Sequence, residues 1–388
     1  MKKIIVSILF ILVCALSFFN FATCNKKKGG VDYMADFIVE VKEGKTPVVL
    51  QLTDTQIIDS SQQRNSDRLG PVLTESWAKD KVEYHCYRYI RQLVNRISPD
   101  LIIITGDIIY GEFDDDGSVL INFINFMDSL GVPWAPILGN HEAESKKGVQ
   151  WQSEQLEKST HCLFKTRELT GFGNYSVGIV QGGKLLRTFF MMDSNGGYAA
   201  SEASLATSHY QRTQGFAQDQ VNWCVKSIND IKAKFPDAKF SLAYHIPMVA
   251  FANAFLEKYN RLPFDKGALD LDRLGQDGDF GYLSGVLEGW DENLTIWNEM
   301  KNIGIDSMFV GHLHQNTASI MYDGIRLQFG LKSSTYDSTN YVQENGQIVH
   351  SYEWGGKPIV GGTVIPVSSM DGSINPYVLF YEEPLGEE

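Results

Sequence analysis

The stretch Leu101-Ile102-Ile103-Ile104-Thr105-Gly106-Asp107 is an apolar run that ends in a threonine, a glycine and a carboxylate. Because its apolar residues do not alternate with polar ones, it is typical of a parallel strand that is buried on both faces. Similar runs lie at 48–53 and 134–138, and helical patterns at 82–97 and 119–130 separate the three runs. The order β-α-β-α-β predicts a sheet that is at least partly parallel, with right-handed crossovers.

After residue 170 the pattern changes to hairpins and short strands. Gly182-Gly183 between two apolar runs predicts a hairpin, and turns at Asp323-Gly324 and Asp371-Gly372 predict an antiparallel second sheet. Neither a repeat nor a linker interrupts residues 33–388, which we therefore interpret as one domain. The other predicted elements are strands at 175–180, 185–192, 240–244 and 308–310, and helices at 217–231 and 291–302.

The composition is that of a globular protein with a large core. Of the 388 residues, 43% are hydrophobic and 21% are charged, which argues against a disordered, collagenous or multi-span membrane chain. The formal net charge is -13, whereas nucleic-acid binding proteins carry clustered Lys and Arg. We therefore expect no nucleic-acid partner, and a site that handles phosphate would need positive charge from a source other than the surface.

Residues 1–24 have the pattern of a secretory signal peptide. Met1-Lys2-Lys3 is a basic start, an apolar run follows, and small residues precede Cys24. The alternative is a retained N-terminal anchor. Phe21-Ala22-Thr23-Cys24 is also similar to a bacterial lipoprotein cleavage box, although Thr23 stands where Gly or Ala is usual. We expect a secreted or extracytoplasmic protein that associates with a membrane only if Cys24 is lipidated, with residues 25–32 as a polar linker.

Three cysteines lie outside this leader: Cys86, Cys162 and Cys224. An odd number without repeated spacing is neither a disulfide framework nor a zinc ribbon. Cys86 and Cys224 fall within helical patterns, so we expect buried free thiols. One bridge between two of the three stays open as an alternative.

Five strand-like runs end in side chains that can bind a metal ion. In open α/β sheets, ligands bind beyond the carboxyl ends of the strands, so residues far apart in sequence can converge there. Carboxylate, amide and imidazole groups together suit Zn, Fe or Mn rather than Ca. Two histidines at i and i+2 can reach different ions of a pair about 3.5–4 Å apart. The five segments are Asp54-Thr55-Gln56, Gly106-Asp107, Gly139-Asn140-His141-Glu142, His245 and Gly311-His312-Leu313-His314.

These segments follow the order D-x-H, G-D, G-N-H-[DE], a lone His and G-H-x-H, with Gln56 in the place of the first His. The chain therefore resembles the calcineurin-like metallophosphoesterase superfamily. It is further similar to the purple acid phosphatase-like branch of the shorter, fungal and plant type in Met192-Asp193-Ser194, Gln220-Val221-Asn222-Trp223 and 243–247. The resemblance implies a four-layer α/β sandwich in which helices flank two mixed β-sheets.

The resemblance also implies a binuclear centre of two divalent or mixed-valence ions, with Mn, Fe or Zn as the candidates. Such ions bring about four positive charges, while Asp54, Asp107 and a bridging hydroxide return about three negative ones, which leaves roughly one for a phosphate. The implied ligands are Asp54, Gln56 and His314 for the first ion, Asp107 as the bridge, and Asn140, His245 and His312 for the second.

The implied reaction is in-line attack of the bridging hydroxide on a phosphate ester of a small molecule. His141 would stand outside the metal shell, where it steadies or protonates the leaving oxygen. Glu142 is interpreted as an outer residue that orients His141 or Asn140 rather than as a base. His85, His161, His209 and His350 match no motif and are left out of the site.

Two positions depart from the family pattern. Gln56 offers a neutral amide oxygen, a weaker donor to soft metals than imidazole, so we expect a looser first site that holds a harder ion such as Mn or Fe. Tyr110, three residues after Asp107, matches the G-D-x-x-Y of true purple acid phosphatases, in which the Tyr is a ligand to ferric iron. Tyr110 is therefore either a ligand or an ordinary aromatic residue packed beside the site.

The expected function is that of an exported phosphatase acting on phosphate monoesters. A phosphodiesterase is the close alternative, because the same two-metal core serves both reactions. The other alternative is a non-catalytic binding protein that retains the fold, which Gln56 and Tyr110 motivate. His141 and six of the seven implied ligands are those of the family pattern, which favours an enzyme.

Overall fold

The computed structural model describes residues 31–64, 69–196, 215–265, 267–287, 289–334 and 353–382, and the backbone of short strands at 23–24, 341–342 and 348–349. The predicted leader, most of the predicted linker, and the side chains of Cys24, His209 and His350 lie outside the described residues. The domain boundaries 1–24, 25–32 and 33–388 therefore stay predictions. Within the described residues, every helix is too short or too polar to cross a membrane.

The described elements are nineteen strands and eight α-helices. The strands are β1 (Thr23–Cys24), β2 (Phe37–Val41), β3 (Val48–Leu52), β4 (Leu101–Thr105), β5 (Trp134–Ile137), β6 (Tyr175–Gln181), β7 (Lys184–Met191), β8 (Lys239–Ala243), β9 (Leu269–Asp270), β10 (Tyr282–Leu283), β11 (Ile305–Val310), β12 (Ser319–Tyr322), β13 (Ile325–Phe329), β14 (Tyr341–Val342), β15 (Ile348–Val349), β16 (Glu353–Trp354), β17 (Lys357–Pro358), β18 (Gly361–Pro366) and β19 (Tyr377–Phe380). The helices are α1 (Pro71–Ser76), α2 (Lys79–Ile97), α3 (Ser118–Ser129), α4 (Gly148–Lys158), α5 (Gln218–Lys234), α6 (Val249–Tyr259), α7 (Leu271–Leu274) and α8 (Thr295–Ile303).

The first sheet has the order β19-β18-β3-β4-β5. Strands β3, β4 and β5 are parallel, with Leu50 opposite Ile102 and Ile102 opposite Trp134. Helices α2 and α3 connect them, as the apolar pattern predicts. Every residue of β4 is buried, which is the physical reason for its unbroken apolar sequence.

The second sheet has the order β1-β2-β6-β7-β8-β11-β13-β12 and is mixed. Strands β7, β8, β11 and β13 run parallel, while β6 and β7 form the predicted hairpin. Its two loop residues, Gly182 and Gly183, have φ of 57° and 77°. A two-residue hairpin loop with positive φ at both positions favours glycine. Together with the first sheet and the flanking helices, this gives the predicted α/β architecture of two mixed sheets.

Two predictions about these elements are wrong. The turns at Asp323-Gly324 and Asp371-Gly372 do not belong to one antiparallel sheet, because β12 and β13 extend the second sheet while β18 and β19 extend the first. The last helix begins at Thr295 rather than at Asp291. Asp291 has a positive φ, and its carboxylate instead accepts hydrogen bonds from the backbone N–H groups of Thr295 and Trp297, which caps the helix.

The two sheets meet where β3 approaches β11. The side-chain amide of Gln51 donates to the Val310 carbonyl at 3.1 Å. A Cβ on Gly311 would lie 2.1 Å from Thr53 Oγ1, so only glycine permits this approach. The carboxyl ends of strands from both sheets therefore open onto the same crevice. The three described cysteines are buried and free, as expected.

Candidate metal centre

Asp107 lies at the centre of this crevice, directly after β4. Its carboxylate is 1% exposed. It accepts a hydrogen bond from the His141 backbone N–H at 3.0 Å, and its Oδ2 lies 3.2 Å from His245 Nε2. Gly106 makes this approach possible, because a Cβ there would lie 2.6 Å from His245 Nδ1. The glycine of the G-D motif is thus explained by the adjacent imidazole.

Asp54 follows β3 and faces the loop after β11. It is 1% exposed and accepts hydrogen bonds from the His312 backbone N–H, at 3.2 Å for Oδ1 and 3.1 Å for Oδ2. The side chain of His314 approaches the same carboxylate, with Nε2 3.2 Å from Oδ1. Residues separated by some 260 positions are therefore in direct contact.

The potential ligand atoms form two groups, each with its atoms within 4.8 Å of one another. One contains Asp107, His245 and His312, and the other contains Asp54, Asp107 and His314. Asp107 is common to both, which is the arrangement a bridging carboxylate requires. Asn140 Oδ1 lies 3.1 Å from His245 Nε2 and so extends the first group.

His245 shows that this donor set fits a cation. Its Nδ1 lies 2.7 Å from the Thr105 carbonyl, which favours the tautomer with the proton on Nδ1 and a lone pair on Nε2. That lone pair then faces Asn140 Oδ1 at 3.1 Å and Asp107 Oδ2 at 3.2 Å. Three lone-pair donors at such distances repel one another unless a positive charge lies among them.

In the metal-free crevice, a proton on Nε2 of His245 can supply this positive charge. Burial opposes the charged form of His245, yet the carboxylates of Asp107 and Asp54 raise its pKa to about 10. Burial likewise disfavours the Asp107 carboxylate, but His245 and His141 hold its pKa well below the usual range. The metal-free site therefore attracts protons, which a divalent ion can replace.

His141 stands at the edge of the crevice. Its side chain is 18% exposed, Nδ1 lies 2.8 Å from Glu144 Oε2, and Nε2 lies 3.9 Å from Asp107 Oδ2. Burial lowers the pKa of His141, but Asp107 and Glu144 outweigh it and the net shift is upward. Among the described residues, neither group of potential ligand atoms includes His141, and its Nε2 is the ring nitrogen nearer to Asp107.

The carboxylate of Glu142 bonds to backbone N–H groups, rather than to the side chain of His141 or Asn140 that it was expected to orient. It is fully buried, and its carboxylate accepts backbone N–H bonds from Gly139 at 2.6 Å, Ile108 at 2.6 Å and Asp107 at 3.2 Å. Burial and the charge of Asp107 raise its pKa to about 7. Glu142 therefore joins the loops after β4 and β5, and the carboxylate beside the His141 ring is that of Glu144. The sequence signal for Glu144 is its i+3 spacing from His141 in a 3₁₀ turn, which places both on one side.

Tyr110 packs on the catalytic candidate. Its ring centroid lies 4.0 Å from that of His141, with the planes inclined by 30°, and its edge meets Phe113 at 5.5 Å. Of the two interpretations of Tyr110, this contact favours the aromatic residue packed beside the site.

Gln56 has a partner that the motif analysis missed. Its Nε2 donates to Asp107 Oδ2 at 3.3 Å, while its Oε1 accepts from Lys332 Nζ at 2.9 Å. Lys332 is 2% exposed and also donates to the Asp54 carbonyl at 3.0 Å. Burial and Lys332 together lower the pKa of His314. A lone lysine three residues after the end of β13 carries no motif, so only the folded structure identifies it.

Residues 47–316, more than half of the chain, match the family model described as Calcineurin-like phosphoesterase. Phosphatase DCR2 of Saccharomyces cerevisiae is 24% identical over 241 residues, which cover 58% of this chain and 38% of that protein. Probable inactive purple acid phosphatase 29 of Arabidopsis thaliana is 24% identical over 262 residues, or 62% and 61% of the two chains. The chain thus spans less than two thirds of either relative. A dimetal phosphatase structure from Danio rerio covers 87% of this chain and 99% of its own, at 11% identity and a TM-score of 0.46.

The shared position of Asp107 predicts distinct effects of two substitutions. Asp107→Asn should lower the affinity for both ions by about tenfold or more, whereas Asn140→Ala should weaken only one. The measurement is calorimetric titration of the chelator-stripped protein with Mn²⁺, with thermal unfolding as the check on folding. Asp116→Asn, in the acidic loop before α3, should leave both affinities unchanged. Loss of a single ion in Asp107→Asn would show that Asp107 does not serve both groups.

Proposed function

Because the chain belongs to the calcineurin-like phosphoesterase family, we propose that it is a metal-dependent phosphatase that hydrolyses phosphate monoesters of small molecules. One observation carries this proposal: side chains that follow five strands in two sheets converge on the buried carboxylates of Asp54 and Asp107. Both relatives carry phosphatase names, although that of the Arabidopsis protein also says that it is probably inactive, and these names support a monoester over a diester.

The proposed ligands divide into one set for each of the two ions. Asp54 and His314 would hold one ion, with Gln56 beside them as the third candidate ligand. Asn140, His245 and His312 would hold the other ion, and Asp107 would contribute to both. When bound, the two ions supply positive charge and an activated water. We keep Mn, Fe and Zn as the candidate metals, and the Gln56 amide oxygen favours the harder Mn or Fe at its position.

His141 is suited to act on the leaving group. The contact of Nδ1 with Glu144 fixes the ring orientation and leaves Nε2 directed toward the crevice. Since Asp107 and Glu144 raise the pKa of His141 in spite of its burial, the imidazolium can deliver a proton from Nε2 to the departing oxygen. Tyr110 limits the motion of the ring by packing on it.

A non-catalytic binding protein is the second candidate. Its support is the Gln56–Lys332 pair beside Asp54 and a relative named as probably inactive. In that case the crevice would bind a phosphorylated ligand without hydrolysing it.

A substrate comparison tests the proposed activity. Mn²⁺-loaded protein should hydrolyse p-nitrophenyl phosphate with a kcat/KM at least about tenfold above that for bis(p-nitrophenyl) phosphate, a difference of roughly 1.4 kcal/mol in transition-state stabilisation. Release of p-nitrophenol is followed by absorbance, and metal content is measured on the same preparation. The reverse ratio would identify a phosphodiesterase. Inertness of both wild type and His141→Ala on a broad ester panel would favour the binding protein.

Substitution of His141 should lower kcat more than substitution of Glu144. His141→Ala should lower kcat by about 100-fold or more, since it removes the proton donor. Glu144→Gln should lower kcat less. Because Glu144 raises the pKa of His141, and protonated His141 is the active form, its replacement should also move the alkaline limb of the kcat profile to lower pH.

Glu154→Gln, on the exposed face of α4, is the control for a carboxylate-to-amide change and should behave as wild type. An unshifted alkaline limb in Glu144→Gln would mean that Glu144 does not act through His141.

We also propose that the protein is exported. The support is the basic start, the apolar run and the small residues of positions 1–24. Intact mass measurement of protein from the native host should find the chain beginning at or after Cys24. An additional lipid mass on Cys24 would place it at a membrane, and a chain that still begins at Met1 would exclude cleavage.

A further inference from the structure

Lys332 lies beside the crevice, and the positive charge of its ammonium group would compete with a cation bound there. Its ammonium group donates to Gln56 Oε1 at 2.9 Å and to the Asp54 carbonyl at 3.0 Å. Both acceptors belong to the segment that carries the proposed ligands of the first ion. The side chain is 2% exposed, so water screens this charge far less than it would at the surface.

The backbone around Lys332 is fixed to both sheets. Gly330 N–H donates to the Val310 carbonyl at 2.8 Å, and Ser333 N–H donates to the Thr53 carbonyl at 2.8 Å. The Ser333 hydroxyl accepts from Thr53 N–H at 3.0 Å. On the other side, the Lys332 carbonyl accepts from Gly361 N–H at 2.8 Å. The backbone that carries Lys332 is therefore held in place by hydrogen bonds to both sheets.

The hydrogen bond from Lys332 changes what Gln56 can offer to a metal. An amide oxygen has two lone pairs, and the ammonium group occupies one of them. The ammonium is a compact point charge, and its repulsion opposes a divalent ion at the same oxygen. In the other candidate group, the described hydrogen bonds of the His245 ring go to the Thr105 carbonyl and to Asn140 Oδ1, and neither of these partners is a lysine.

We propose that Lys332 is a positioning residue that ties up the Gln56 amide oxygen and makes the ion position at Asp54 and His314 the weaker of the two. This inference rests on the proposed two-ion function. It implies that one ion binds tightly at the Asn140 and His245 side, and that the other binds only at higher metal concentration. Lys332 would thus set the metal concentration at which the centre becomes complete.

Titration of chelator-stripped protein with Mn²⁺ tests the proposal. Wild type should show two binding events that differ in affinity by about tenfold or more, and Lys332→Met should strengthen the weaker event by about tenfold. Mn²⁺ electron paramagnetic resonance provides a readout independent of activity, because two neighbouring Mn²⁺ ions give a spin-coupled signal. That signal should appear at lower Mn²⁺ concentration in Lys332→Met. Lys258→Met, which removes a half-buried lysine bonded to Asp279, should titrate as wild type.

Gln56→Met is a second test that does not depend on the folding of Lys332→Met. If Lys332 keeps the amide oxygen from the metal, loss of that oxygen should change the weaker affinity by less than about threefold. A loss of about tenfold or more would show that Gln56 is a full ligand and would overturn the proposal. Two equal affinities in wild type, or an unchanged weaker event in folded Lys332→Met, would overturn it as well.

The outcomes separate this inference from the proposed function. Hydrolysis of the monoester by a protein that binds two Mn²⁺ ions equally leaves the function intact and removes only the role of Lys332. Failure of every variant and of wild type to bind Mn²⁺, Fe²⁺ or Zn²⁺ contradicts both.

Discussion

Two carboxylates, those of Asp54 and Asp107, lie almost completely out of water, and the rest of the crevice compensates their charge. Removing an ionised carboxylate from water costs several kcal/mol unless it is paired and hydrogen-bonded. Backbone N–H groups of His141 and His312 and the imidazoles of His245 and His314 surround the pair. The motif segments that carry these four histidines can be understood as a means of bringing hydrogen-bond donors and imidazoles to the two carboxylates.

The need to bring polar and charged side chains together in the crevice also explains the backbone geometry at the strand ends. Asp54, Gln56, Asp107 and His312 all have positive φ, from 41° to 72°, which costs non-glycine residues of order 1–3 kcal/mol each. These residues turn sharply out of buried strands, so their side chains face the crevice instead of the sheet. The buried apolar strands β3, β4 and β11 provide the packing that maintains this strained backbone.

The sequence predicts the parallel core and the convergence of the five segments, because both depend on local patterns. Strand β4 is apolar except for its last residue, and each polar site residue lies within a few positions of the end of its strand. Strands β12 and β13 join one sheet, whereas β18 and β19 join the other. Which sheet a strand joins depends on which strand edge is unpaired in the folded chain, and no local sequence pattern encodes that choice. Lys332 matches no motif for a related reason, since its contacts with Gln56 and Asp54 exist only in the folded chain.

The Gln56–Lys332 pair gives the site a charge balance different from that of a site with a histidine there. One bound divalent ion and the Lys332 ammonium supply about three positive charges, against two from Asp54 and Asp107. The result is roughly one net positive charge, the same balance that two ions and a bridging hydroxide would reach in a site without the lysine. Under the proposed function, a crevice with one ion would already attract a phosphate group, although hydrolysis would still require the second ion. Because the lysine charge is covalently attached and the ion is not, phosphate binding and hydrolysis would then depend on metal concentration to different degrees.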